Sequence, residues 1–238
     1  MRGDTSFPVR LRFTKRGPVR FISHRDVARA FERAFRIVQL PLAFTEGFSP
    51  RPRVSFGLAL SVGYESDAEY LDVALAEPID VDGVVPRLSD ALPVGIDVTG
   101  AAALADRAPA LQEAVTAAAY RVAVSVPEAT PPTALEVAIA AALAQTELHA
   151  TRVRKGRAIV ENLRPAVRHL SLIEPNVLDL EVATQPRGVR PGEVLAAIGE
   201  GFDCDHVLRT HQWIERLGAR LEPLEADGRP RALDARAS

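Results

Sequence analysis

Along residues 8–13, PVRLRF, apolar and polar side chains alternate one for one, the period of a strand with one buried face. "KRGP" reads as a turn and "VRFI" as the strand's continuation. From Ser23 to about Val38 the period changes. At about 100° per residue Val27, Phe31, Ala34 and Val38 share one face, which predicts an amphipathic helix. Ser23 followed three places on by Asp26 marks its start as a capping box. "PLAFTE", "RVSFGLAL" and "AEYLDVALA" return to strand character, "DVDGVVPRLSDAL" reads as a second helix, and "IDVTGAAAL" as a closing strand.

The second half repeats that order. "AYRVAVSV" is a strand, "TALEVAIAAALAQT" a helix, and "HATRVRKG" and "VLDLEVAT" are strands around an irregular "NLRPAVRHLSL". "RPGEVLAAIGE" is a helix and "HVLRTHQWIE" a last strand. The expected class is α+β, with two tandem ferredoxin-like domains in β-α-β-β-α-β order. Breakers around residues 108–116 place the division, giving domains 1–110 and 111–224, and the aperiodic 225–238 is expected to be a disordered tail.

Composition is that of an ordinary globular protein, 47% apolar and 25% charged, and the net charge of −2 conceals blocks of opposite sign. Residues 9–53 hold eleven basic side chains against Asp26, Glu32 and Glu46; residues 54–147 hold fourteen acids against Arg87, Arg107 and Arg121; residues 148–168 are basic again. Such asymmetry suits a face for a polyanion. Cys204 is the single cysteine, which excludes an internal disulfide and a cysteine-based zinc or iron–sulfur site within the chain, and fits a reducing cytoplasm. No basic-then-apolar leader opens the sequence and no run of about 18 apolar residues occurs, so a soluble cytoplasmic protein without a membrane segment is expected.

The candidate chemistry lies in the basic blocks. Arg25, Arg29, Arg33 and Arg36 form a stripe opposite the apolar face of the first helix, and only Glu32 is placed to pair across it. In "FTEGFSPRPRVSFG" Gly47 gives backbone freedom, Pro50 and Pro52 stiffen the segment, and Arg51 and Arg53 point the same way. Two placements of Phe48 fit this pattern: a stacking platform for a base, or a plug in the core under the hairpin. Arg152, Arg154 and Lys155 repeat the device in the second half. His24, at the helix entry beside amide donors and Arg25, is the one candidate general acid or base. The five histidines show no spacing that suits a metal.

The stretch "RFTKRGPVRFISHRDVARAFERAFR", followed by "LPLAFTEGFSPRPRVSFGLALSVGYESDAEYLDVAL", resembles the radical SAM-associated protein family, a domain of unknown function found alone or attached to cobalamin-binding radical SAM proteins. The likeness is dense over about residues 9–75 and only loose beyond them, through "NLRPAV" and "VLRTHQW"; Ile37 stands where another basic residue is expected. It implies a functional link to a radical SAM enzyme as partner. The chain lacks the three-cysteine cluster motif, so that chemistry falls to the partner and no cofactor is expected here. The resulting expectation is a non-catalytic accessory that binds RNA or presents substrate. The rivals are a metal-independent endoribonuclease using His24 and a protein–protein adaptor.

Overall fold

The computed structural model describes residues 6–105, 108–128, 130–154 and 156–227. In chain order the elements are β1 (Phe7–Lys15), α1 (His24–Ile37), β2 (Val54–Phe56), β3 (Glu65–Leu75), α2 (Val81–Ala91), β4 (Val98–Ala103) and α3 (Leu111–Ala114). There follow β5 (Ala117–Ser125), α4 (Ala134–Ala144), β6 (His149–Arg154), β7 (Arg157–Asn162), β8 (Val167–Glu174) and β9 (Val177–Ala183). Last come α5 (Pro191–Ile198), β10 (Asp203–Arg216), β11 (Ala219–Leu221) and α6 (Pro223–Asp227). The fold is mixed α+β, and most strand pairs are antiparallel.

Two compact units divide the chain, and they are not consecutive blocks. Among the described residues, one takes those up to 62, within 68–114 and from 214 to 227; the other takes 63–67 and those within 115–213.

In the first unit the strands run β4-β1-β3-β2. Val9, Leu11 and Phe13, alternate residues of β1, meet Val27, Phe31, Ala34 and Phe35 of α1 and Val84 and Leu88 of α2 in one core. The Phe13 ring stands edge-on to Phe31 at 4.8 Å, and Phe56 closes the cluster. The start of α1 follows its sequence signal: the Asp26 amide donates to Ser23 Oγ at 3.3 Å, and Ser23 Oγ donates to the Asp26 carboxylate at 2.6 Å. The expected continuation of β1 through "VRFI" does not form. Residues Gly17–Phe21 make a 3-10 turn, because Gly17 adopts φ +66° and the buried Lys15 Nζ donates to the carbonyls of Arg20 (3.1 Å) and Ile22 (3.2 Å).

The expected tail also needs correction. Residues 225–227 belong to α6, where Asp227 is buried and accepts from the fully buried Arg10 at 2.9 Å. Residues 228–238 lie outside the described residues.

In the second unit the strands run β10-β5-β9-β8, and Glu65 and Ser66 pair in parallel with Leu208 and Arg209. Leu135 and Ile139 of α4 and Val194 and Leu195 of α5 pack with Val122, Leu178, Leu180 and Val207. The segment expected to be irregular is a 3-10 turn at Arg164–Ala166 followed by β8, and β6 and β7 form their own two-stranded hairpin.

Candidate nucleic-acid interface

Burial of Val27, Ala30, Phe31 and Ala34 turns the opposite side of α1 outward, and Arg25, Arg29, Arg33 and Arg36 are all exposed there. Arg29 pairs with Asp26 at 3.4 Å, and Arg36 Nε donates to the Glu32 carbonyl at 3.2 Å. Arg25 and Arg33 make no ion pair with another described residue. Four like charges on one stripe repel one another by roughly 0.2–0.5 kcal/mol per neighbouring pair, a cost that a bound anion removes.

Next to the helix, residues 42–56 form an open hairpin. Phe44 bridges Pro52, the Thr45 amide donates to the Arg51 carbonyl at 2.9 Å, and the Arg51 amide donates to Thr45 Oγ1 at 3.1 Å. Gly47, at φ +123°, turns the tip, and Phe48 beside it is fully exposed. Of the two placements open to Phe48, the core plug is excluded. Arg53 is half-buried, and its guanidinium reaches Ser6 Oγ at 3.5 Å.

A groove of about 620 Å3 lies between α1 and this hairpin. Its floor is Phe35, Leu42, Pro52, Val54 and Phe56, and its polar rim is Glu32 and Arg36 from the helix and Arg51 from the hairpin. Phe44, 53% exposed, forms one wall. The structure therefore brings Arg36 and Arg51 together. Arg25, Arg29, Arg33, Phe48 and Arg53 do not line the groove. Phe44 and Glu32 were missed as candidates; the signal for Phe44 was its alternation with Leu42, which sets both on one side of the hairpin.

His24 is exposed at the first position of α1, its ring edge-on to Phe56 at 4.9 Å. With Lys15 and Glu69 it lines a separate cavity of about 20 Å3, room for a single water. Burial pushes the Lys15 amine below its ordinary range, and Glu69 offsets part of that shift. Phe56 lines both spaces, whereas His24 lines only the smaller one.

The second unit uses its basic hairpin differently. Arg152 makes a two-pronged pair with Glu161, Nε to Oε2 at 2.9 Å and Nη2 to Oε1 at 2.6 Å. Arg187 joins the same carboxylate and reaches Glu193 at 3.1 Å. These hydrogen bonds, from Arg152 first and Arg187 second, pull the Glu161 carboxyl down to about 2. Arg154 lies on β6 opposite Arg157, and Lys155 falls outside the described residues. Among the described residues no three His, Cys, Asp or Glu side chains gather as a metal site, and no helix is long and apolar enough to cross a membrane.

A family model described as "Uncharacterized protein conserved in bacteria (DUF2344)" matches residues 9–191, which include α1, the groove and the β6–β7 hairpin. The chain belongs to this family. No curated protein matches it. Among solved structures it is similar to a chain of "Crystal Structure of a Cbf5-Nop10-Gar1 Complex", with a TM-score of 0.46 and 10% identity over 86% of this chain. The match covers 48% of that chain, so this protein spans about half its length.

Proposed function

We propose that the first unit binds single-stranded RNA and that the protein serves as a non-catalytic accessory to a partner enzyme. The observation that carries this reading is the convergence of Arg36 and Arg51, from different elements, on one groove walled by an exposed phenylalanine. Guanidinium groups bind phosphate in two-pronged fashion, and exposed aromatic rings stack on unpaired bases. Arg25 and Arg33 extend the charge along α1, and Phe48 offers a second ring at the hairpin tip. Arg29 and Arg53 flank this surface with part of their hydrogen-bonding capacity already used.

The strand orders β4-β1-β3-β2 and β10-β5-β9-β8, each with, in chain order, one helix after its first strand and one before its last, support reading the units as ferredoxin-like, with the β6–β7 hairpin inserted in the second. The resemblance over residues 9–75 suggests a radical SAM enzyme as the partner, and the single cysteine, Cys204, fits a reducing cytoplasm. His24 supports the accessory role over the nuclease one, because it lines the water-sized cavity and not the groove.

The test is fluorescence anisotropy of the full chain with a labelled, unstructured RNA about 12 nucleotides long. Binding that is lost in Arg36→Glu and Arg51→Glu supports the proposal. Binding that survives both charge reversals overturns it, and retention of a partner protein without RNA favours the adaptor.

A further inference from the structure

We infer that the groove is a guanine-selective pocket read by Glu32; this rests on the single-stranded RNA reading and deepens it. A carboxylate on the rim of a groove whose other charges are Arg36 and Arg51 is unfavourable for general phosphate binding. Glu32 is nevertheless exposed on the groove side of α1, and its carboxylate makes no hydrogen bond or ion pair with a described residue. Only its backbone carbonyl is used, by Arg36.

An ionised carboxylate is an acceptor with two oxygens, so its best base partner presents two donors side by side. Among the four RNA bases only guanine does so on its Watson–Crick edge, through N1–H and the N2 amine. Adenine and cytosine each place a ring acceptor beside their single amine, and uracil flanks its one N–H with two carbonyl oxygens. The remaining walls suit the same ligand. Phe44 offers a face for stacking, the apolar floor accepts the base, and the Arg36 and Arg51 guanidinium groups stand at the rim for flanking phosphates. At about 620 Å3 the groove is within the range of small-molecule sites, which is ample for one nucleotide.

The experiment compares the full chain's affinity for a labelled short oligoadenylate with that for the same strand carrying one central guanosine, with inosine at that position as a third arm. The wild type is expected to prefer the guanosine strand by about tenfold, the scale of one two-pronged base contact. Inosine, which keeps N1–H but lacks the amine, should fall between. Glu32→Gln, which replaces one acceptor oxygen by a donor at an exposed position, should abolish the preference. Equal wild-type affinity for the guanosine and adenosine strands overturns the guanine assignment and leaves the RNA reading intact. A preference that persists in Glu32→Gln overturns Glu32 as the reader. Failure to bind either strand overturns both.

Discussion

The guanidinium of Arg10, with no exposed surface, donates to the Asp227 carboxylate at 2.9 Å across 217 positions of sequence. Asp72 holds the same group from the other side at 2.7 and 2.9 Å, and the Pro223 carbonyl accepts at 3.2 Å. Asp227 also pairs with Arg216 at 3.0 Å. A buried cation that loses one partner keeps its desolvation cost. Asp227→Asn is therefore expected to lower unfolding free energy by about 3 kcal/mol, the low end of the usual range because Asp72 remains. Urea denaturation checks this, and an unchanged midpoint contradicts the network's structural role.

Gly95 sits at φ +94° with its α-carbon against the turn after β1, where its carbonyl accepts from the Arg16 amide at 2.7 Å. A β-carbon there enters the Arg16 carbonyl and the Val19 side chain. Gly95→Ala is expected to cost at least about 1–2 kcal/mol from the left-handed backbone alone. A thermal melt matching the wild type rules out this geometry.

Glu161 gives a pH signature. Its carboxyl falls from the ordinary 4.5 to about 2 because Arg152 and Arg187 hydrogen-bond the ionised form. A depressed carboxyl contributes stability that is present above about pH 4.5 and is lost as pH falls towards 2. The stability difference between wild type and Glu161→Gln should therefore shrink across that window. A difference that stays constant from pH 6 to pH 2 contradicts the pairing.

Phe48 separates folding from binding. Its ring is fully exposed, so Phe48→Ala should leave stability within about 0.5 kcal/mol of wild type. As a stacking platform the ring's loss should weaken RNA binding by about 1–3 kcal/mol with the salt dependence kept. A drop in melting temperature with unchanged affinity has the opposite meaning.

What could be read in advance follows the range of the forces involved. The α1 boundaries were legible because Ser23, Asp26 and the Val27–Phe31–Ala34 face lie within a few turns of one another. Spacing alone makes Arg152 resemble a phosphate contact, because its partner depends on strand register. Glu161 stands opposite Ala150, one diagonal step from Arg152 on the same face of the hairpin. The end of the chain looked aperiodic because a five-residue helix such as α6 has no repeat to display, and Asp227 takes its place through Arg10, at the far end of the sequence. Of the proposed binding surface, the arginine stripe was visible from spacing. The groove was not, since Glu32, Phe44 and Arg51 meet only once the hairpin packs beside the helix.

If arginines of the first unit hold RNA phosphates, as proposed, affinity for single-stranded RNA must depend on salt. Each phosphate neutralised releases counterion, so log affinity should fall against log salt with a slope of about −0.7 per contact. Arg33→Ala or Arg51→Ala should weaken all sequences and reduce the slope by roughly one contact. Affinity that does not vary with salt, or a slope that both substitutions leave untouched, contradicts the claim.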